Sequence, residues 1–72
     1  MREYLRKLRR EAGLTQQELA RALGISQNSY SYIENGKRQK NMQLALAVRL
    51  ASALSTKPDD LWKAEAEYQR AL

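Results

Sequence analysis

Residues 16–35 read QQELARALGISQNSYSYIEN. Leu19, Leu23, Ile25, Tyr30 and Ile33 recur at helical spacing on either side of one glycine, Gly24. This predicts two short helices that meet along an apolar seam across a tight turn. Ala20 is small where the two helices must approach closely. Gln27, Asn28, Ser31 and Tyr32 lie off the seam of the second helix and present hydrogen-bonding groups outward.

The flanking sequence is helical as well. No segment alternates as a half-buried strand does, and β-branched residues are scarce. A first helix is expected from about Arg2 to Ala12, with Leu5, Leu8 and Ala12 as its buried stripe and Arg2, Arg6, Lys7 and Arg10 turned away from it. Gly13 ends it. Thr15 and Glu18 have the spacing of a capping box at the head of the second helix, and Ser26 is placed to cap the third, which runs to about Asn35 and stops at Gly36. After the basic loop Lys37-Arg38-Gln39-Lys40, Asn41 is expected to cap a fourth helix from Met42 to Leu54. Leu44, Ala47, Val48, Ala51 and Leu54 lie on one side of that helix, with Leu46 and Leu50 beside them, so it should be central and covered from several sides. Pro58 suits the first turn of a fifth helix, and Asp59 and Asp60 suit its positive end. Leu61, Ala64, Tyr68 and Leu72 continue at helical spacing.

Composition narrows the chemistry. Seventy-two residues make one domain at most. With no cysteine and no histidine, the chain lacks disulfides, thiolate metal sites and the commonest general base. No nucleophile–base constellation appears, so neither an enzyme nor a cofactor is expected. The net charge of +5 favours a polyanionic partner, nucleic acid or an anionic membrane surface. The apolar face of the basic first helix is narrow, which argues against the membrane. The start is not followed by an apolar run long enough for a signal peptide, and the stretch from Met42 to Leu54 is too short and too polar to span a bilayer. The expectation is a soluble, cytoplasmic protein.

Two short helices across a glycine turn, the second with an exposed polar face, form the layout of a helix-turn-helix that reads DNA in the major groove. The order of motifs extends the match. Leu8-Arg9, Gly13-Leu14-Thr15-Gln16, Glu18-Leu19-Ala20, Leu23-Gly24-Ile25-Ser26, Ile33-Glu34-Asn35-Gly36-Lys37-Arg38, Leu50-Ala51-Ser52-Ala53-Leu54 and Asp59-Asp60-Leu61 resemble the Cro/phage-repressor type of helix-turn-helix regulator, the xenobiotic-response-element family. The resemblance covers about Leu5 to Trp62. It implies an all-α, five-helix, lambda-repressor-like DNA-binding domain whose third helix enters the major groove of double-stranded DNA. By position it implies that Gln27, Asn28 and Tyr32, with Ser31 close by, read bases. It also implies that Gln16, Lys37, Arg38 and Lys40 contact phosphates, and that Arg9 and Glu34 form a structural ion pair. Arg10 is a further candidate phosphate contact. Departures from the family pattern are Tyr30 where Ile or Val is usual, Ser55 where glycine usually follows helix 4, and about two extra residues between Gly36 and Leu50.

The residue types suit the roles. Gln and Asn amides can pair with adenine at both N6 and N7, and a cationic run beside a recognition helix can follow the phosphate backbone. Tyr32 leaves two readings open, contact with a phosphate, base or thymine methyl, or packing against a neighbouring helix. The function expected is a sequence-specific transcription regulator, a repressor acting as a homodimer on a palindromic operator. The rival from another class is an antitoxin-like interaction module that binds a protein partner through residues 62–72.

Overall fold

Five helices and no strand follow one another along residues 1–72 of the computed structural model: α1 (Glu3–Glu11), α2 (Gln16–Leu23), α3 (Gln27–Glu34), α4 (Leu44–Ala53) and α5 (Pro58–Arg70). The fold is all-α, as the sequence predicts. Local chemistry sets most of the boundaries. The Thr15 hydroxyl accepts from the Glu18 amide at 3.1 Å while the Glu18 carboxylate accepts from the Thr15 amide at 2.9 Å, a closed capping box at the head of α2. The Ser26 hydroxyl accepts from the Ser29 amide at 3.1 Å at the head of α3. Gly24 turns the chain between these helices in the left-handed region at φ +72°, where a side chain would be strained. Pro58 is in the first turn of α5, with Asp59 and Asp60 against its positive end.

The core joins all five helices. Leu5 of α1, Leu19 of α2, Tyr30 of α3, Leu50 of α4 and Leu61 of α5 are each fully buried. A leucine buried to that degree contributes about 1.5–3 kcal/mol relative to an exposed one. Tyr30 fits into the α2–α3 seam where a branched aliphatic would be smaller. No helix of the chain is long and apolar enough to cross a membrane.

Several expectations need correction. Asn41 does not cap a helix beginning at Met42. Met42 instead enters the core, 5% exposed, from the non-helical segment before the helix. The fourth helix begins at Leu44 after Gln43, whose amide donates to Gln39 Oε1 at 3.2 Å. That helix is not covered all round: α2 and α5 pack over Ala47, Leu50, Ala51 and Leu54, leaving Leu44 64% and Val48 46% exposed. Ala12 is the exposed C-cap of α1, so the buried stripe of that helix reduces to Leu5 with the half-buried Leu8. Leu72 lies beyond α5 and is exposed. Arg2 does not face solvent as Lys7 and Arg10 do: it is fully buried, and Arg6 is half-buried. Ser55, in the place of the usual glycine, takes up the left-handed conformation itself at φ +54°.

Candidate nucleic-acid interface

The orientation of α3 is set from its C-terminal turn. Glu34 is 1% exposed and its carboxylate gathers donors from three helices. Arg9 of α1 donates from Nε at 3.0 Å, the Tyr30 hydroxyl one turn earlier in α3 donates at 3.3 Å, and Gln16, the first residue of α2, donates from its amide. Arg9 also donates to the Leu14 carbonyl at 2.9 Å, which holds the turn between α1 and α2. A buried carboxylate needs such saturation, because each unpaired lone pair away from water is costly. Burial and the nearby Glu34 charge push the Tyr30 phenol far above its usual range, so Tyr30 stays a donor at any ordinary pH.

With its inner face locked, α3 turns Gln27 and Asn28 outward in its first turn. Both are exposed, and no hydrogen bond within the fold engages either side-chain amide. Ser31, one turn on, is half-buried, and its hydroxyl accepts from Asn35 at 3.4 Å. Tyr32 is 39% exposed. Its ring lies beneath two cations of the following loop, with the Arg38 guanidinium 5.0 Å and the Lys37 ammonium 6.0 Å from the ring centroid.

Of the predicted phosphate contacts, Lys37, Arg38 and Lys40 are exposed. The amides of Lys37 and Arg38 both donate to the Tyr32 carbonyl, at 2.8 and 3.1 Å, which folds the loop back beside α3. Arg38 further donates to the Ser29 hydroxyl at 3.1 Å. Ser29 was not singled out in the sequence, yet it joins Tyr32 in positioning Arg38. Gln16 is half-buried against Glu34, and its amide nitrogen keeps a second N–H for an outside acceptor. Arg10 is exposed on α1 beside Arg6 and Lys7, without a bond to the α3 group.

A second buried cluster supports the loop from behind, and sequence reasoning missed it. Arg2 pairs with Glu65 of α5, Nε to Oε1 at 2.8 Å. Tyr4 donates to the same oxygen at 2.6 Å and Gln69 to Oε2 at 2.7 Å. Burial opposes the charge on Glu65, but these donors outweigh it and hold its carboxyl below the usual carboxylate range. One signal was available: Glu65 falls four residues after Leu61, on the buried face of α5, where a carboxylate demands a partner.

A model of the helix-turn-helix family matches residues 5–61. The chain is 34% identical over 62 residues to a protein of Archaeoglobus fulgidus named an uncharacterised HTH-type transcriptional regulator, covering 86% of each chain. It is 41% identical over 54 residues to one so named from Methanothermobacter thermautotrophicus, covering 75% of each. It is 45% identical over 42 residues to the Bacillus subtilis protein named uncharacterised HTH-type transcriptional regulator YqaF, covering 58% of this chain and 55% of that one. No solved structure gives a significant match.

Proposed function

The chain belongs to the Cro/C1-type helix-turn-helix family of DNA-binding transcription regulators, and from that premise we propose that it binds a palindromic operator as a homodimer and represses by occluding the promoter. The observation that carries sequence-specific reading is the free pair of amides, Gln27 and Asn28, exposed in the first turn of a helix whose other side is locked by Glu34. Each good bidentate base contact discriminates by roughly 1–3 kcal/mol. Lys37, Arg38 and Lys40, with Gln16 and Arg10, supply phosphate contacts that fix register and affinity. Two copies would span half-sites about 34 Å apart, one helical turn of DNA. The exposed apolar residues Leu44, Val48 and Trp62 support an interface between copies.

Selection of bound duplexes from a random pool at about 150 mM salt, where charge-only binding is largely screened, tests this. Enrichment of a palindrome with half-sites one turn apart is the expected result. Binding without enrichment would remove the base-reading role of α3. Gln27→Ala or Asn28→Ala should relax preference at defined base positions and leave the salt slope unchanged. Arg38→Ala should weaken all sequences alike and reduce the slope by about one.

The exposed Trp62 favours a second reading, a protein partner held by the C-terminal segment. The variant for that test is Trp62→Ala. Truncating the segment would also remove Glu65 and Gln69, and with them the buried cluster.

A further inference from the structure

Arg2 spends every donor it has. Its five N–H groups go to Glu65 Oε1 at 2.8 Å, Glu65 Oε2 at 3.2 Å, the Ile33 carbonyl at 2.6 Å, the Arg38 carbonyl at 3.2 Å and the Gln39 carbonyl. Its guanidinium also lies 5.1 Å from the centroid of the Tyr68 ring. An ion pair with Glu65 alone would occupy two of those groups. The other three are directed at the end of α3 and at the basic loop. Gln69, which donates to the same Glu65 Oε2 as Arg2, also donates to the next carbonyl, that of Lys40. Three successive loop carbonyls, 38 to 40, are therefore drawn inward by side chains from the start of the chain and from α5.

The backbone of the loop shows that it is held rather than merely resting there. Gln39 sits at φ +55°, a left-handed conformation uncommon for a non-glycine residue, and it is bonded on two sides, its carbonyl by Arg2 and its side-chain oxygen by the Gln43 amide. With the carbonyls turned in, the side chains of Lys37, Arg38 and Lys40 are left exposed, the first two beside α3 over Tyr32. Lysine could not replace Arg2, because an ammonium has three donors and no planar fork to span four partners.

We propose that Arg2, seconded by Gln69 and anchored on Glu65, is a positioning residue for DNA binding: it sets the backbone of residues 38–40 so that the cations beside α3 meet the phosphates together. The inference rests on the DNA-binding reading above. It makes α5 a control point for the loop, since any change at Glu65 or Gln69 reaches the carbonyls on which the loop hangs.

The test measures affinity of the full chain for a mixed-sequence duplex across a salt series, at a temperature where circular dichroism shows each variant folded. Arg2→Lys should weaken binding about tenfold, within the range seen for residues that act through a coupled element. It should also flatten the salt slope by about one to two, as loop cations cease to engage together. Gln69→Ala, at a half-buried position, should shift both in the same direction by less. Arg38→Ala should cost less in the Arg2→Lys background than in the parent, because both changes act on the same contact. If Arg2→Lys does not fold, Gln69→Ala decides. Folded variants with parental affinity, parental slope and additive effects would overturn the proposal while leaving the DNA-binding reading intact. A parent chain that binds no duplex at low salt would instead overturn that reading, and this proposal with it.

Discussion

Ser55 bears a backbone conformation that its side chain disfavours, φ +54° in the position that closes α4. Glycine there would remove the clash of Cβ with its own carbonyl at some cost in unfolded-state entropy. Ser55→Gly should therefore stabilise the protein by about 0.5–1 kcal/mol in urea denaturation, and a loss would mean that α4 ends by another route. Arg9 is the opposite case. Its pairing with Glu34, at 11% and 1% side-chain exposure, is nearly dry. Arg9→Met would leave the buried carboxylate its Tyr30 and Gln16 donors but no counter-charge, and should cost about 3 kcal/mol. A cost under about 1 kcal/mol would mean that water reaches the pair and screens it as at a surface. Arg9 could be recognised through the motif it belongs to. Arg2 could not, since a basic residue at the start of a basic helix looks the same whether it is solvated or buried.

Helix boundaries were legible where a cap acts within three or four residues. The box of Thr15 and Glu18 forms as its spacing predicts, with the Thr15 amide and hydroxyl holding the Glu18 carboxyl below its usual range. Thr15→Ala should lower stability by about 1 kcal/mol, read as a shift in the urea midpoint. α4 starts later than Asn41, a good cap by type, predicts: Met42 is buried in the core ahead of the helix, which begins at Leu44. Gly36 couples one element to another. It lies at φ +80°, and a Cβ there would stand 2.5 Å from the Tyr68 hydroxyl of α5. Gly36→Ala should thus be destabilising. Tyr68→Phe should recover only part of the loss, since it relieves the contact but not the backbone strain. Full recovery in the double variant would assign the whole effect to the contact.

The molecule as a whole should lose stability at both ends of the pH range, for separate reasons. The folded pKa of Glu65 is depressed, so its contribution is present above the ordinary value of 4.5 and is lost as pH falls through the lower, folded value. The Tm should drop below about that pH, and Glu65→Gln should drop less steeply. Tyr4 and Tyr30 are raised, first by burial and then by their carboxylate neighbours. Their contribution is complete below the ordinary value of 10.0 and is lost as pH rises above it. Of the four tyrosines, these two should ionise only as helical circular dichroism disappears. If their ultraviolet titration precedes that loss, the phenols are reached by water in the folded state. Val48, 46% exposed on α4, offers the corresponding test of assembly. Val48→Glu should leave the single copy folded and reduce cooperative occupation of two half-sites in a gel-shift titration.

Glycines, caps and apolar spacing act between residues a few positions apart, so the succession of helices and the outward polar turn at Gln27 and Asn28 could be read from the order of residues. Burial of a charge is another matter, because it depends on what other elements bring over it. Arg2 and Glu65 stand 63 positions apart, and nothing near either one marks the other as its partner. The exposure of Leu44 and Val48 likewise followed from the side of α4 that α2 and α5 came to cover. The support beneath the basic loop exists only once packing closes around Arg2, where an unpaired guanidinium would be too costly to bury and a fully paired one becomes a fixed point of the fold.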